Sequence, residues 1–247
     1  MTDFHWISSE TFGATGFETE WLTIDKARRG GAGAPEALAK ICQTYWYPLY
    51  VYVRGKGFDR HEAQDLTQEF FSSLLTKPWL ENVHPSKGRF RAYLLAAMNN
   101  FLVDEWRREN TAKRGGGRDL FSLDAIAAEQ RFNLEPAHHE SPDRLFDHSW
   151  AVTVSRQALA NLKTEYQAPD QAPLFDALQP MLTSGKKPER QTEIARRLDL
   201  NPGAVRKTAQ RLRDRYLELL RAEIARTVLD PAELDEEIRH VLGLLSQ

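Results

Sequence analysis

The sequence predicts an all-α protein, and three features of the 247-residue chain lead to this fold class. Apolar residues recur at steps of three and four, the spacing of a buried helix face. No segment of useful length alternates between apolar and polar residues as a half-buried strand does, and no motif repeats at a fixed period. A chain of this length buries a core without disulfides, and its single cysteine, Cys42, has no second cysteine to pair with.

Residues 35–118 are predicted to form three helices behind an N-terminal leader, residues 1–34. Pro35 suits the first turn of the first helix, because its missing N–H would be unpaired there in any case. Asp59 and Glu62 have the spacing of a capping box at the start of the second helix. A third apolar stripe follows, and a run of three glycines then breaks the helical pattern.

Residues 119–187 are predicted to be a linker with short helices. The apolar periodicity weakens in this segment and prolines are scattered through it. Ser141 followed by Pro142 has the composition of a helix start, with a capping hydroxyl before a proline.

A helix-turn-helix is predicted in residues 188–229 and an acidic helix in residues 230–247. Asp199 and Leu200 form the turn between the two helices, and Asn201 caps the second one. The last helix carries a Leu/Ile/Val stripe along one side.

The charges are sorted along the chain, although the formal net charge is only −2. The first basic island, residues 86–118, has eight Lys/Arg against three Asp/Glu, and the second, residues 185–221, has eleven against five. The rest of the chain holds 14 basic and 27 acidic residues. Two separate islands favour a polyanion contacted at two places, and the alternative is two well solvated helical faces.

The motifs of common enzyme classes are missing from the sequence: it has no P-loop, no HExxH, no GxSxG and no dinucleotide fingerprint. The cluster His138-His139-Glu140 lies in a proline-flanked loop where adjacent side chains point apart, so we expect no metal, catalytic site or cofactor. No stretch has the length of a membrane span, and the first residues lack the features of a signal peptide. We therefore expect a cytoplasmic protein that is not an enzyme.

The second helix of the helix-turn-helix presents a cationic face. If Val205 and Leu212 are buried, the outward residues include Arg206, Lys207, Gln210 and Arg211. Such a face is typical of a recognition helix in the DNA major groove, where cations contact phosphates and amides read base edges. The alternative is an ordinary helical hairpin with a cationic surface.

The third helix carries four polar residues on one flank, here called the polar flank: Asn100, Asp104, Arg107 and Arg108. Phe90, Tyr93 and Trp106 lie near by, and aromatic rings beside amides and guanidinium groups can hold unstacked bases. The alternative places these rings in the core. We favour the core for Phe90 and leave both interpretations open for Trp106.

At these residues the chain resembles bacterial RNA polymerase sigma factors. The runs DLTQEFF at 65–71 and GRFRAYL at 88–94, followed by the polar flank, are similar to sigma region two. The runs EIA at 193–195 and GAVR at 203–206 are similar to region four. The order and spacing resemble the compact extracytoplasmic-function class, which keeps these two regions.

The resemblance implies a subunit that binds core RNA polymerase, recognises promoter DNA and opens its strands. It implies that Asp65, Gln68 and Glu69 dock against the clamp helices of the largest polymerase subunit, although a solvated acidic face is the alternative. The polar flank would recognise and open the promoter element nearest the start site. The loop at 82–88 would capture a flipped base of the non-template strand, and the helix from Pro202 would read the upstream element as duplex.

Under this resemblance residues 35–118 are the region-two-like domain and residues 188–229 the region-four-like domain. The leader, the linker and the acidic last helix are additions, and control by an anti-sigma factor or another regulator stays open. Asp199 stands where many relatives have glycine. The last helix either covers a basic DNA-binding face in the free protein or completes the hydrophobic core.

Two rival functions remain at this point. A helix-turn-helix regulator would bind duplex DNA without polymerase. A protein-interaction module would use the basic faces to bind an acidic partner, and its affinity for DNA would show no steep salt dependence.

Overall fold

The computed structural model describes residues 34–76, 89–111, 125–134, 140–168, 171–183, 188–197, 199–228 and 231–246, which contain helices and turns and no strand. The helices are α1 (Ala34–Gly55), α2 (Arg60–Thr76), α3 (Phe90–Thr111), α4 (Ala125–Leu134), α5 (Pro142–Glu165), α6 (Ala172–Leu178), α7 (Pro180–Thr183), α8 (Pro188–Arg197), α9 (Pro202–Ala225) and α10 (Leu234–Leu245), with a 3-10 turn at Pro231–Glu233. The predicted all-α fold class is confirmed. None of the described helices is both long and apolar enough to cross a membrane.

Helices α1, α2 and α3 pack together through buried aromatic side chains. The ring of Tyr45 on α1 meets Phe90 on α3 edge to face, with 5.5 Å between the ring centroids. Phe70 on α2 meets Phe101 on α3 in the same way at 5.7 Å. Such edge-to-face pairs add to the free energy gained from burying the rings.

The predicted capping box at the start of α2 is confirmed. The backbone N–H of Glu62 donates to Asp59 Oδ1 at 2.9 Å, and the backbone N–H of Asp59 donates back to Glu62 Oε2 at 3.0 Å. The hydrogen bond that the Asp59 carboxylate accepts from the Glu62 backbone lowers the pKa of Asp59. Residues close to each other in the sequence therefore determine where α2 begins.

Helix α5 lies at the centre of the described structure, although the sequence predicted only short helices in this segment. It begins at the predicted Ser141 cap, where the side chain accepts from the backbone N–H of Arg144, and continues for 24 residues. The prediction of short helices is therefore wrong for α5. Pro142 is the first residue of this helix, and no other proline lies within it. Its buried residues include Ser149, Thr153 and Ser155 beside apolar ones, so no single apolar stripe marks it in the sequence.

One side of α5 packs against α1. A Cβ at Gly55 would lie 2.9 Å from Leu145 Cδ1, so glycine allows the end of α1 to approach the start of α5 closely. Further along, Gln157 Nε2 donates to Thr44 Oγ1 at 3.2 Å.

Helix α5 also packs against α9. The hydroxyls of Ser155 and Tyr216 lie 2.7 Å apart. Arg215 on α9 donates from Nε and Nη2 to the Glu165 carboxylate at the end of α5, at 2.9 and 2.8 Å. These hydrogen bonds from Arg215 lower the pKa of Glu165. Helix α5 thus forms a shared wall between α1 and α9.

The turn between α8 and α9 has the geometry that the sequence predicted. Asp199 adopts a positive φ of 51°, and the backbone N–H of Leu200 donates to the carbonyl of Ala195 at 2.9 Å, which together form a left-handed helix cap. Asn201 then accepts from the backbone N–H of Gly203 at 2.7 Å and caps α9.

The last helix, α10, packs on α5 and contacts α9. Ile238, Val241 and Leu244 are buried on its inner side. Its first turn holds three consecutive carboxylates, here called the acidic turn: Asp235, Glu236 and Glu237.

Candidate nucleic-acid interface

The polar flank lies on the exposed side of α3. Asn100, Asp104 and Arg107 are all exposed, and the side chains of Asp104 and Arg107 are 63% and 70% accessible. Arg107 Nη1 lies 3.6 Å from Asp104 Oδ1, an exposed pair three residues apart along the helix. Exposed pairs of this kind stabilise a fold very little.

Arg108, the fourth member of the polar flank, connects α3 to α2. Its Nη2 lies 2.8 Å from Glu105, and its Nη1 lies 3.5 Å from Glu69. Glu105 is buried, whereas the Arg108 side chain is 57% exposed. This arginine therefore has a structural contact in addition to the predicted role in DNA binding.

Trp106 is exposed on a neighbouring stripe of α3. It is 66% accessible, and Val103, three residues earlier, is 40% accessible. The interpretation that Trp106 belongs to the core is therefore wrong. Phe90 is fully buried, as we favoured, and Tyr93 is half-buried. An exposed indole beside amides and guanidinium groups provides a stacking surface for an unpaired base.

Lys56 and Asn99 extend this surface and were not predicted from the sequence. Asn99 Oδ1 accepts from the Tyr52 hydroxyl and from Lys56 Nζ, both at 3.3 Å. Lys56 also lies over the Tyr52 ring, 5.1 Å from its centroid. The spacing of Asn99, Val103 and Trp106 could have indicated this second stripe, but only the packing of α1 on α3 brings Lys56 to it.

The residues predicted to bind polymerase lie on α2. Asp65 and Glu69 are exposed, and Gln68 is half-buried. Between them, Thr67 is fully buried and donates its hydroxyl to the carbonyl of Ala63 at 2.7 Å. Thr67 therefore lies on the buried side of α2, and the exposed side is acidic.

The predicted recognition face lies on the outer side of α9, and all of its members are exposed: Arg206, Lys207, Gln210 and Arg211. Val205, Ala209 and Leu212 are buried on the opposite side, as the apolar spacing predicted for Val205 and Leu212. Gln210 Nε2 donates to Asp214 Oδ1 at 2.7 Å, a contact on the exposed surface that a base edge could replace.

Several predicted features lie outside the described residues. These are the leader up to residue 33, the loop at 82–88, the glycine run, and the pair His138-His139.

Comparison with known proteins gives one family match. Residues 44–111 match the model of the family Sigma-70 region 2, which takes in most of α1 together with α2 and α3. The match includes Asp65, Gln68, Glu69 and the polar flank. No curated protein and no solved structure matches the chain.

Proposed function

We propose that this chain, whose residues 44–111 match the family Sigma-70 region 2, is an RNA polymerase sigma factor that directs core polymerase to a particular set of promoters and opens the strands there. The observation that carries the proposal is the position of the polar flank. It lies within the matched residues and on the exposed side of α3, next to an exposed tryptophan. The chain is then a specificity subunit without catalytic activity of its own, acting in the cytoplasm.

In this proposal the polar flank recognises the promoter element nearest the start site, and Trp106 stacks on an unpaired base. Arginine and asparagine side chains can contact phosphates and base edges, while an indole stacks on any base. Opening a few base pairs costs only a few kcal/mol for each, which these contacts can offset.

Asp65, Gln68 and Glu69 make the contact with the clamp helices of the largest polymerase subunit. The support is their placement on one helix with an acidic outer side. A helix with exposed carboxylates suits a basic helical partner, because complementary charge speeds the encounter and fixes the orientation.

Helix α9 reads the upstream element as duplex DNA through Arg206, Lys207, Gln210 and Arg211. The support is a capped helix whose exposed side is cationic and whose other side is buried. We assign residues 188–229 to this region-four-like unit and residues 35–118 to the region-two-like unit. Two such units in a chain of this size suggest the extracytoplasmic-function class.

The rival function is a helix-turn-helix regulator that needs no polymerase, and the cationic face of α9 is the observation that favours it. Co-purification with core RNA polymerase separates the two functions. A sigma factor binds the core enzyme in the absence of DNA, whereas the regulator binds only duplex DNA.

We predict that Asn100→Ala leaves binding to the core enzyme unchanged and impairs strand opening. Its side chain is exposed, so the fold loses little, but a contact to the opened strand is lost. Permanganate footprinting of unpaired thymines measures opening, and Asn161→Ala, an exposed asparagine on α5, is the matched control. Normal opening by Asn100→Ala would remove this residue from the interface.

A further inference from the structure

The acidic turn of α10 is paired with arginines from both basic islands. Glu237 is 1% exposed, and its Oε2 lies 2.7 Å from Arg89 Nη1 while its Oε1 lies 3.0 Å from Arg91 Nε. Arg89 and Arg91 belong to the first basic island. In the same turn, Asp235 Oδ1 lies 2.8 Å from Nη1 of Arg221, the last residue of the second island. One helical turn thus joins α3 to α9.

From this arrangement we propose that α10 is an intramolecular clasp that competes with nucleic-acid phosphate for Arg89. A guanidinium group binds carboxylate and phosphate oxygens in the same fork geometry, so a glutamate can occupy the place of a phosphate. The clasp itself does not depend on the proposed function. The identity of its competitor, the DNA strand that the sigma factor opens, does rest on it.

Arg89 is the side chain that the clasp withholds. It directly precedes α3, whose exposed side carries the polar flank, and the carboxylates described around it, Glu236 and Glu237, both belong to α10. Arg91 differs, because it also binds Asp147 on α5 at 2.6 Å and lies over the Trp150 ring at 4.6 Å. When α10 leaves, Arg91 keeps these partners and Arg89 becomes available.

The charges of the acidic turn are not needed to complete a core. The buried residues Ile238, Val241 and Leu244 already attach α10 to the protein by apolar contact. A buried carboxylate costs desolvation energy, and an apolar residue of similar volume often stabilises a fold at least as well. What paired carboxylates add is a contact that the phosphates of a polyanion can replace.

The test measures the affinity of the full-length chain for a fluorescent single-stranded oligonucleotide, by anisotropy in a salt series without polymerase. Glu237→Gln weakens the clasp, and we expect about fivefold tighter binding at low salt, as for one added phosphate contact, with a salt slope steeper by about 0.7. Arg89→Gln combined with Glu237→Gln should cancel the gain. Glu233→Gln, which removes an exposed carboxylate before α10, is the matched control.

Hydrogen exchange on the same samples locates the change. We expect faster exchange in α10 of Glu237→Gln while α5 stays protected. If α5 also loses protection, the pair Asp235→Asn with Glu236→Gln is used in place of Glu237→Gln. Both of these side chains are exposed, and Glu237 keeps its contacts with Arg89 and Arg91. We expect a smaller gain in affinity from this pair.

The clasp is wrong if a folded Glu237→Gln protein, or the pair Asp235→Asn with Glu236→Gln where that is used, binds the oligonucleotide no more tightly than the unchanged chain. A gain that persists without Arg89 overturns it as well. Neither result depends on transcription. If the chain fails to direct transcription while Glu237→Gln gains affinity, the proposed function is refuted and the clasp stands. If the chain directs transcription while Glu237→Gln gains no affinity, the clasp is refuted and the proposed function stands.

Discussion

Asp199 is the described non-glycine residue whose backbone lies in the left-handed region, with φ at 51°. The turn between α8 and α9 needs this conformation, because the Leu200 N–H reaches the Ala195 carbonyl only when the chain reverses there. A side chain with a Cβ pays a steric cost in this region, which aspartate offsets better than most residues and glycine avoids.

We predict that Asp199→Gly stabilises the protein by about 0.5–1 kcal/mol and that Asp199→Ala destabilises it by about 1 kcal/mol. Urea unfolding of the three proteins measures the difference. An alanine variant more stable than the glycine variant would contradict this account of the turn.

Features that depend on neighbouring residues in the sequence were predictable residue by residue. The Asp59–Glu62 capping box and the Asn201 cap need only a side chain and a backbone N–H two or three positions away. The exposure of Trp106 was not predictable, because its position on α3 fits either a core ring or a surface ring. Only the way α1 and α2 pack on α3 decides between them.

Among the helices, those with one buried side were predictable from the sequence, and the full length of α5 was not. Amphipathic helices such as α9 show one apolar stripe, and the sequence predicted that stripe correctly. Helix α5 packs on α1, α9 and α10 at once, so its buried positions surround the helix and include Ser149 and Thr153. Periodicity detects a helix with one buried side and is weak for one buried on several.

Because α5 is the wall shared by α1 and α9, we predict that these two helices unfold together in the free chain. Hydrogen exchange across a urea series should give α1 and α9 the same midpoint. Val154→Ala, at a fully buried position on α5, should lower both midpoints equally and cost roughly 1–3 kcal/mol. Loss of α9 at lower urea than α1 would show that each has its own core.

At the scale of the whole molecule, the sequence predicted two basic islands, and the structure adds how they are joined. The islands follow from counting charges along the chain. The contacts of the acidic turn with Arg89 and Arg221 join residues far apart in the sequence, so only the folded chain brings them together. The polar flank and the cationic face of α9 are both exposed.

The central claim is that these two surfaces serve one task on core RNA polymerase. Run-off transcription with purified core enzyme and a library of randomised promoters tests it most directly. The account predicts transcripts from templates that share two separated sequence elements, and their loss when the chain is omitted. Transcription that starts nowhere above the level of core enzyme alone would contradict it.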